Sequence, residues 1–318
     1  MSKFAFLFPG QGAQAIGMLN GFAGNAVVAQ TVAEAGDALG MDLGKLIAEG
    51  PKEAQDLTTN TQPIMLTASV AIYRAWAAAG GPAPSLVAGH SVGEYSALVA
   101  AGVIAFKDAV PLVRFRAQAM QEAVPVGQGG MAVVLGLQAD EVRAVCAAAA
   151  AEHPGQVVEA VNFNEPTQIV IAGHNAALER ACELAKEKGA KRAMKLAVSA
   201  PFHLSLLKPA SDRLRTYLAD VAFSAPRIDL INNVDVTILN DPAAIKDALV
   251  RQAAGPVRWV ETMQRFAAAG VSQVIESAPS KVLIGMAKRI DPQLAGDALV
   301  DQAALERVLS ALNPAAQA

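Results

Sequence analysis

The pentapeptide Gly-His-Ser-Val-Gly at residues 89–93 constrains the fold of this chain more than any other feature. It lies between a short apolar run, residues 85–88, and a helix-like segment that begins at Glu94. A strand that enters a helix through so tight a turn needs residues without side chains around the bend, which lifts the central hydroxyl out of the sheet. The pattern predicts a nucleophile elbow with Ser91 as nucleophile; the alternative is a glycine-rich turn that happens to contain a serine.

Strands and helices alternate around this motif. An apolar run at residues 4–8 precedes a Pro-Gly-Gln-Gly loop and a segment of helical composition, and a helix predicted at residues 61–80 precedes the strand that leads to Ser91. Alternating strands and helices favour a parallel sheet, and ligands gather at the carboxyl ends of its strands. Because Gln11 and Ser91 both follow such strands, we expect their two loops to face one site.

The pattern changes at residue 127, where four strand-like runs and two helix-like segments follow in the order βαββαβ. The strand-like runs are residues 131–135, 157–163, 168–172 and 193–198, and the helix-like segments are residues 139–152 and 175–188. This order is the ferredoxin-like arrangement. We therefore predict an α/β protein with a large domain, residues 1–126 and 199–318, and a small inserted domain, residues 127–198.

Composition limits the class of protein. Of the 318 residues, 53% are hydrophobic and 17% are charged, which allows one large core or two modest ones. Glycines and prolines interrupt the longest uncharged stretches, so we expect no membrane span. The apolar run near the N-terminus is too short for a signal-peptide core, and a net charge of −3 gives no general attraction to nucleic acid. We expect a cytoplasmic globular protein.

The chain has two cysteines, Cys146 and Cys182, and both lie in alanine-rich helical segments. An isolated cysteine in such a segment is usually a small buried hydrophobe. We therefore expect neither a disulfide nor a metal site, and no cofactor.

A serine hydroxyl needs a base within hydrogen-bond reach, normally a histidine, and the chain has four. His153 and His174 stand at predicted helix ends, where surface or capping roles explain them. His90 adjoins the serine, and in a strained turn its side chain points away from the hydroxyl, so we expect it to shape the elbow. His203 lies in a loop between the predicted small domain and a helix predicted to begin near residue 204, and it is the candidate base.

Two arginines lie on the helix predicted at residues 107–124. Periodicity places Arg116 on the flank of the apolar stripe and Arg114 on the opposite, polar side. An inward arginine has two interpretations: a snorkelling or ion-paired side chain, or a fixed guanidinium that binds a carboxylate through two parallel hydrogen bonds. The second would select an acyl group that carries a free acid.

Several motifs together resemble a known family. They are Phe-Pro-Gly-Gln-Gly at residues 8–12, the Ser91 pentapeptide, Arg116 at 25 residues after the serine, Val-Asn-Phe-Asn at residues 161–164 and Pro-Phe-His at residues 201–203. In this order and spacing they are similar to the malonyl-CoA:acyl-carrier-protein transacylases of fatty acid synthesis. The resemblance runs from residue 4 to about residue 290, and it implies an α/β-hydrolase-like large domain with a ferredoxin-like insert.

The resemblance implies a catalytic role for five residues. Ser91 accepts malonyl from the coenzyme A thioester, and His203 is its general base. A main-chain carbonyl, here that of Gln252, orients the histidine in place of an aspartate. The backbone N–H of Val92 and the region of Gln11 form the oxyanion hole.

Four more residues are implied to bind substrate. Arg116 holds the malonyl carboxylate, and the bulk of Phe202 disfavours branched extender units. His90 and Asn162 complete the set. The implied partners are malonyl-CoA and acyl carrier protein, and the family resemblance suggests a monomer.

A basic stretch lies near the end of the predicted small domain. It comprises Lys186, Lys188, Lys191, Arg192 and Lys195. Because carrier proteins are acidic, this stretch is a candidate docking surface; a solvated helix end is the alternative.

One segment departs from the family pattern. Ala278 and Ser280 stand where family members more often have glycine, so we expect a changed loop conformation without an effect on the reaction class.

Three other functions stay open. A serine hydrolase or thioesterase would use the same elbow, but the lack of an obvious triad acid and the inward arginine disfavour it. A free-standing acyltransferase of a polyketide synthase would carry the same motifs. A non-catalytic carrier-protein docking subunit would be favoured if Ser91 or His203 were missing, and both are present.

Overall fold

The computed structural model describes residues 3–125, 127–198 and 200–313. In chain order its strands are β1 (Lys3–Phe8), β2 (Leu86–Gly89), β3 (Gly129–Leu135), β4 (Val158–Glu165), β5 (Gln168–His174), β6 (Arg192–Lys195), β7 (Asp229–Leu230), β8 (Val271–Glu276) and β9 (Ala295–Ala298). Its helices are α1 (Ala26–Leu39), α2 (Leu43–Glu49), α3 (Lys52–Asp56), α4 (Thr58–Ala78), α5 (Gly93–Ala100), α6 (Phe106–Ala123), α7 (Ala139–Glu152), α8 (Asn175–Glu187), α9 (Lys208–Ala219), α10 (Pro242–Ala254), α11 (Trp259–Ala268), α12 (Val282–Ile290) and α13 (Gln302–Leu312).

Five strands form a parallel sheet in the order β7-β2-β1-β8-β9. All residues of β1 after Lys3 are buried, as expected for a central strand covered by helices on both faces. Because β1 and β2 are parallel neighbours, the loops that follow them leave the same edge of the sheet. The prediction of a parallel sheet with the Gln11 and Ser91 loops side by side is confirmed.

Two hydrophobic cores lie on the opposite faces of this sheet. Phe4, Phe6 and Phe8 point to one face, where they pack with helices α1, α4 and α6. Ala5 and Leu7 point to the other face, where they pack with α11 and α12. The alternation follows from the two-residue period of a strand, and it gives the elbow a rigid base.

Four strands form a second, antiparallel sheet in the order β4-β5-β3-β6. Its elements follow the predicted βαββαβ order, and α7 and α8 share one core with the sheet. Cys146 and Cys182 lie in this core as free thiols. Burial raises the pKa of Cys146 to about 12, so this sulfur is protonated and inert at neutral pH.

The other face of the second sheet packs toward the large sheet. Met131, Val161 and Val170 share a core with Met120 of α6 and with Phe202. Strand β4 is also tied through its backbone to the segment before α11. Phe163 N donates to Val257 O at 3.0 Å, and Val257 N donates to Val161 O at 2.8 Å. The two sheets therefore hold a cleft between them.

Some predicted elements differ from the structure. The segment after Gly12 has helical composition, but its first α-helix begins only at Ala26, because Gly17 and Gly24 adopt positive φ. The strand predicted at residues 193–198 ends at Lys195. The helix expected near residue 204 begins as a 3₁₀ turn, and α9 starts at Lys208.

The loop that departs from the family pattern is held by a buried carboxylate. Glu276 accepts a hydrogen bond from the Ser280 hydroxyl and from the backbone N–H groups of Leu283 (2.9 Å) and Ile284 (3.0 Å). The carboxylate thus caps the N-terminus of α12. Ser280 adds a hydrogen bond that glycine would lack.

No helix in the part of the chain that the structure describes combines the length and the apolar character needed to cross a bilayer.

Candidate active site

The residues at 89–93 form a strained turn between β2 and α5. Ser91 has a φ of +55°, which non-glycine residues rarely adopt. A Cβ atom on Gly89 would lie 1.9 Å from Gly93 C, and one on Gly93 would lie 2.0 Å from Phe8 O. Only glycine fits at both positions, so the strand–turn–helix geometry of a nucleophile elbow is confirmed.

Asn233, which was not predicted from the sequence, stabilises the turn through three hydrogen bonds. Its Nδ2 donates to Gly89 O at 2.7 Å, and its Oδ1 accepts from Ser91 N at 2.8 Å. Its backbone N–H donates to Glu94 Oε2 at 3.0 Å. Because Asn233 is fully buried, these bonds compete little with water and stabilise the unusual conformation of Ser91.

Ser91 and His203 are in contact. Ser91 Oγ lies 2.7 Å from His203 Nε2, and His203 Nδ1 lies 3.0 Å from Gln252 O and 3.2 Å from Gly255 O. Carbonyl oxygens only accept, so Nδ1 carries the proton and Nε2 is free to accept one from the serine. The partners of Nδ1 are backbone carbonyls rather than a carboxylate.

The environment keeps the His203 imidazole neutral. Burial, together with the nearby Arg116 charge, lowers the pKa of His203 to about 3. The side chain is 3% exposed, so its charged form would lose most of its hydration. At neutral pH the ring is therefore an unprotonated base beside the serine.

Arg116 is a buried cation whose hydrogen bonds reach neutral side chains. Its side chain is 1% exposed. Nη1 donates to Gln62 Oε1 at 2.7 Å, and Nη2 donates to Gln252 Oε1 at 2.9 Å and to Ser91 Oγ at 3.3 Å. Within residues 3–125, 127–198 and 200–313, Arg116 makes no ion pair. The guanidinium neither snorkels nor pairs with a carboxylate, and its predicted inward orientation is confirmed.

Arg114 lies on the same helix but away from the site. Its Nη1 contacts Met41 Sδ at 2.9 Å. The periodicity of α6 therefore distinguished the two arginines correctly.

A cavity of about 420 Å³ opens over Ser91. Its walls include most of the predicted site residues. They are Gln11, His90, Ser91, Asn162, Phe202 and His203. Gln252, Arg116 and Val92 lie behind this wall, where the first two contact Ser91 directly. A larger groove of about 670 Å³ runs over residues 29–44, but its lining has neither a serine nor a histidine.

His90 and Asn162 differ in their surroundings. His90 Nε2 lies 2.8 Å from Asn164 Oδ1, and its ring lies beside Trp259 at 5.4 Å. The ring therefore turns away from the Ser91 hydroxyl, as predicted, and burial lowers its pKa. Asn162 Oδ1 is buried without a hydrogen-bond partner among the described residues, and it is an acceptor available at the cavity wall.

The two expected oxyanion donors flank Ser91. Val92 directly precedes α5, where the first N–H groups of a helix have no intrahelical acceptor. Gln11 follows the neighbouring strand, and its side chain accepts from Thr58 Oγ1 at 2.9 Å. This bond fixes the Gln11 loop at the cavity.

The remaining histidines have the structural roles predicted for them. His153 ends α7 with Nδ1 at 3.0 Å from Ala149 O. His174 precedes α8 and accepts from Val157 N at 2.9 Å.

The sequence patterns did not predict four polar groups of the site, namely the side chains of Gln62, Glu94, Asn233 and Gln252. Burial raises the pKa of Glu94 to about 7, although hydrogen bonds from Gln252 and Asn233 oppose the shift. Glu94 and Gln62 did carry a signal, because each is a polar residue in a helix whose other residues are mostly buried.

The chain resembles known proteins over nearly its full length. Residues 5–303 match the family described as acyl transferase domain. The malonyl CoA-acyl carrier protein transacylase of Salmonella typhimurium is 52% identical over 311 residues, covering 98% of this chain and 100% of the relative.

Solved structures of similar proteins have the same fold as this chain. An acyl-carrier-protein S-malonyltransferase from Burkholderia pseudomallei has a TM-score of 0.95 at 66% identity, covering 97% of this chain and 99% of that chain. A malonyl-transacylase in complex with its type II PKS acyl-carrier protein has a TM-score of 0.95 at 50% identity, covering 98% of this chain and 100% of that chain. The chain therefore belongs to the acyl transferase domain family, among the malonyl CoA-acyl carrier protein transacylases.

Proposed function

We propose that the protein transfers malonyl from malonyl-CoA to the phosphopantetheine thiol of acyl carrier protein and so supplies malonyl units for fatty acid synthesis. One observation carries this proposal: the buried, unpaired guanidinium of Arg116 lies 3.3 Å from Ser91 Oγ, which lies 2.7 Å from His203 Nε2. A nucleophile, a neutral base and a cation that lacks an anion together fit an acyl group with a free carboxylate.

In the first half-reaction, His203 Nε2 accepts the proton of Ser91 Oγ while the oxygen attacks the thioester carbonyl carbon. The N–H groups of Val92 and Gln11 receive the negative charge that develops on the carbonyl oxygen, and each such donor lowers the barrier by about 3 kcal/mol. The C–S bond then breaks, and the coenzyme A sulfur leaves with the proton from His203. Malonyl remains as an ester on Ser91.

The second half-reaction reverses these steps with a different thiol. His203 accepts the proton of the phosphopantetheine thiol, and the sulfur attacks the malonyl ester carbonyl. The C–O bond to Ser91 breaks, and Oγ recovers the proton from His203. The two substrates thus react in turn with one site, which is a ping-pong scheme.

Arg116 would select the acyl group. In malonyl one methylene separates the carboxylate from the thioester carbonyl, so a cation beside Ser91 Oγ lies within its reach. A bound carboxylate would replace the weak contact between Arg116 and Ser91 with a charge-assisted bond. Acetyl offers no such partner and leaves the buried cation uncompensated. Phe202, His90 and Asn162 would shape the rest of the acyl and pantetheine path.

Architecture supports a two-domain assignment. We assign residues 1–126 and 199–318 to an α/β-hydrolase-like domain, since its sheet is parallel and carries a nucleophile elbow. We assign residues 127–198 to a ferredoxin-like domain because of its βαββαβ order and its strand order β4-β5-β3-β6. The boundary residues 126 and 199 lie outside the described residues. A cytoplasmic location, a monomeric state and independence of cofactors stay predictions.

The test is a transfer assay with purified protein, malonyl-CoA and holo acyl carrier protein, read by mass spectrometry of the carrier. We expect malonyl carrier protein from the wild type and from Ser272→Ala, an exposed serine remote from the cavity, but none from Ser91→Ala. Free malonate in place of the malonyl carrier protein would identify a hydrolase. Parallel assays with carriers of fatty acid and polyketide pathways distinguish the two biosynthetic roles.

A further inference from the structure

A neutral amide stands between a buried guanidinium and a buried carboxyl group next to Ser91. The Gln252 side chain is completely buried, and Arg116 and Glu94 are each 1% exposed. Gln252 Oε1 accepts from Arg116 Nη2 at 2.9 Å, and Gln252 Nε2 donates to Glu94 Oε2 at 2.9 Å and to Ser91 O at 3.0 Å. The guanidinium of Arg116 and the carboxyl group of Glu94 therefore share one bridging residue and do not contact each other.

The polarity of an amide fits this position. Its oxygen only accepts and its nitrogen only donates, so one side chain satisfies a guanidinium at one end and a carboxylate at the other without adding charge. A glutamate in the same place would pair with Arg116 directly. In a buried site such a pair is strong once formed, and a substrate carboxylate would have to displace it.

The other hydrogen-bond acceptors of Arg116 are also uncharged. Its second terminal nitrogen donates to the amide oxygen of Gln62 at 2.7 Å, and Nε has no partner among the described residues. Glu94 is fixed on its far side, where it accepts from Asn233 N at 3.0 Å. The site surrounds the guanidinium with neutral acceptors and holds the nearby acid at a distance.

We propose that Gln252 is a positioning residue that keeps Arg116 and Glu94 apart and so reserves the guanidinium for the free carboxylate of the incoming acyl group. This inference rests on the malonyl transfer proposed above and adds the reason why the cation is unpaired before substrate binds. The same residue orients His203 through its backbone carbonyl, so one position serves both the base and the carboxylate clamp.

A charge swap tests the inference. The double variant Glu94→Gln/Gln252→Glu exchanges the carboxylate and the amide, so net charge is unchanged while the anion moves against Arg116. The single variant Glu94→Gln keeps the neutral amide beside Arg116 and is the matched control. The readout is the rate constant for acylation of Ser91 by malonyl-CoA divided by that for acetyl-CoA, from quenched reactions and intact mass. Circular dichroism checks that each variant is folded.

We expect the malonyl-to-acetyl ratio to fall by about tenfold or more in the swap variant, which corresponds to about 1.4 kcal/mol, and to hold or rise in Glu94→Gln. A purely structural role would lower both rates together and leave the ratio unchanged. An unchanged ratio in the folded swap variant, or a fall in Glu94→Gln as well, would overturn the inference. If the swap variant does not fold, Gln252→Met replaces it: the ratio should fall when the bridging amide is lost and recover in Gln252→Met/Glu94→Gln, where the nearby acid is also removed. No recovery in the folded double variant would contradict charge separation. A wild type that takes up no malonyl would instead refute the proposed function.

Discussion

At the residue scale, burial and neighbouring charges set the pKa values of the ionisable groups in the site. Burial and the Arg116 charge both lower the pKa of His203, to about 3, whereas burial raises that of Glu94 to about 7. Arg116 keeps its charge because an arginine side chain is not deprotonated in proteins. The described part of the chain thus holds a neutral imidazole and a cation without an ion-pair partner next to one hydroxyl, an arrangement that the carboxylate of the proposed substrate would complete.

The lowered pKa of His203 makes a prediction about pH. A base with a pKa of about 3 stays unprotonated above that value, so acylation should not decline near pH 6.5, the ordinary value for histidine. Arg116→Met removes one cause of the shift, the nearby positive charge, and should move the acidic limb of the profile to higher pH. The measurement is kcat/KM for acetyl-CoA in both proteins between pH 4 and 8, since acetyl carries no carboxylate of its own. A wild-type limb near 6.5, or identical limbs in both proteins, would contradict this electrostatic account.

At the element scale, the elbow is the junction that sets the position of Ser91, the proposed nucleophile. Strand β2 runs parallel to β1, and α5 starts two residues after Ser91. The close approach of Gly93 to Phe8 O packs the helix start against the neighbouring strand end. The turn therefore depends on the absence of side chains at its two glycines.

Gly93→Ala should destabilise the protein strongly. The new Cβ would lie 2.0 Å from Phe8 O and 2.8 Å from Pro9 O, and since these are backbone atoms, they cannot rotate away. We expect a loss of about 2–3 kcal/mol or more in the free energy of unfolding, measured by urea denaturation. The matched control is Gly285→Ala within α12, where the Cβ would meet only the guanidinium of Arg289 at 3.4 Å; it should be neutral or stabilising by about 0.5–1 kcal/mol. Equal stability of the two variants would show that the elbow is not tightly packed.

The basic stretch offers a second prediction at this scale. Strand β6 is an edge strand with Arg192 exposed, and the residues that follow it, Leu196 to Val198, line the cavity. A carrier protein held there would lie beside the path to Ser91. Lys191→Glu/Arg192→Glu should raise the KM for the carrier protein while leaving the rate of malonyl loading from malonyl-CoA unchanged.

Lys45→Glu/Lys107→Glu is the control for this experiment, since it makes the same change of net charge at two exposed lysines outside the cavity lining. An equal KM in both double variants would assign the basic stretch to the solvated surface.

Local sequence patterns predicted the elements well but not the contacts among them. Periodicity identified the βαββαβ order and separated Arg116 from Arg114, because helix and strand periods are local properties. The partners of Arg116 were missed because Gln62 and Gln252 lie 54 and 136 residues away in sequence. The position of α1 was missed because composition does not show which glycines take positive φ. The Gln252 carbonyl was identified through family resemblance, whereas its side-chain contacts required the structure.

At the scale of the whole molecule, the site lies where two sheets of different kinds meet. The parallel sheet supplies Ser91 and the Gln11 loop. The antiparallel sheet supplies Asn162 and the wall formed by Met131 and Val170. The backbone tie between β4 and Val257 fixes the relation of the two sheets at one side. The resulting cavity has a volume of about 420 Å³ and several apolar side chains in its wall. Such a lining disfavours water next to an acyl ester on Ser91.

The apolar part of the cavity wall predicts slow hydrolysis of the acyl ester on Ser91. With malonyl-CoA and no carrier protein, we expect a rapid release of about one equivalent of coenzyme A per protein, followed by a much slower steady release. Stopped-flow detection of the free thiol measures both phases. Continuous rapid release without an acceptor would show that water reaches the ester freely and that the cavity does not protect it.

We propose that Ser91 carries the acyl group and that Arg116 selects this group by its carboxylate. Intact-mass analysis after brief mixing with malonyl-CoA or acetyl-CoA tests both parts at once, in wild type, Ser91→Ala and Arg116→Ala. We predict one malonyl adduct on the wild type, none on Ser91→Ala, about thirtyfold slower formation on Arg116→Ala and little adduct with acetyl-CoA. Free coenzyme A accumulating without any adduct, or an adduct that persists in Ser91→Ala, would contradict the account.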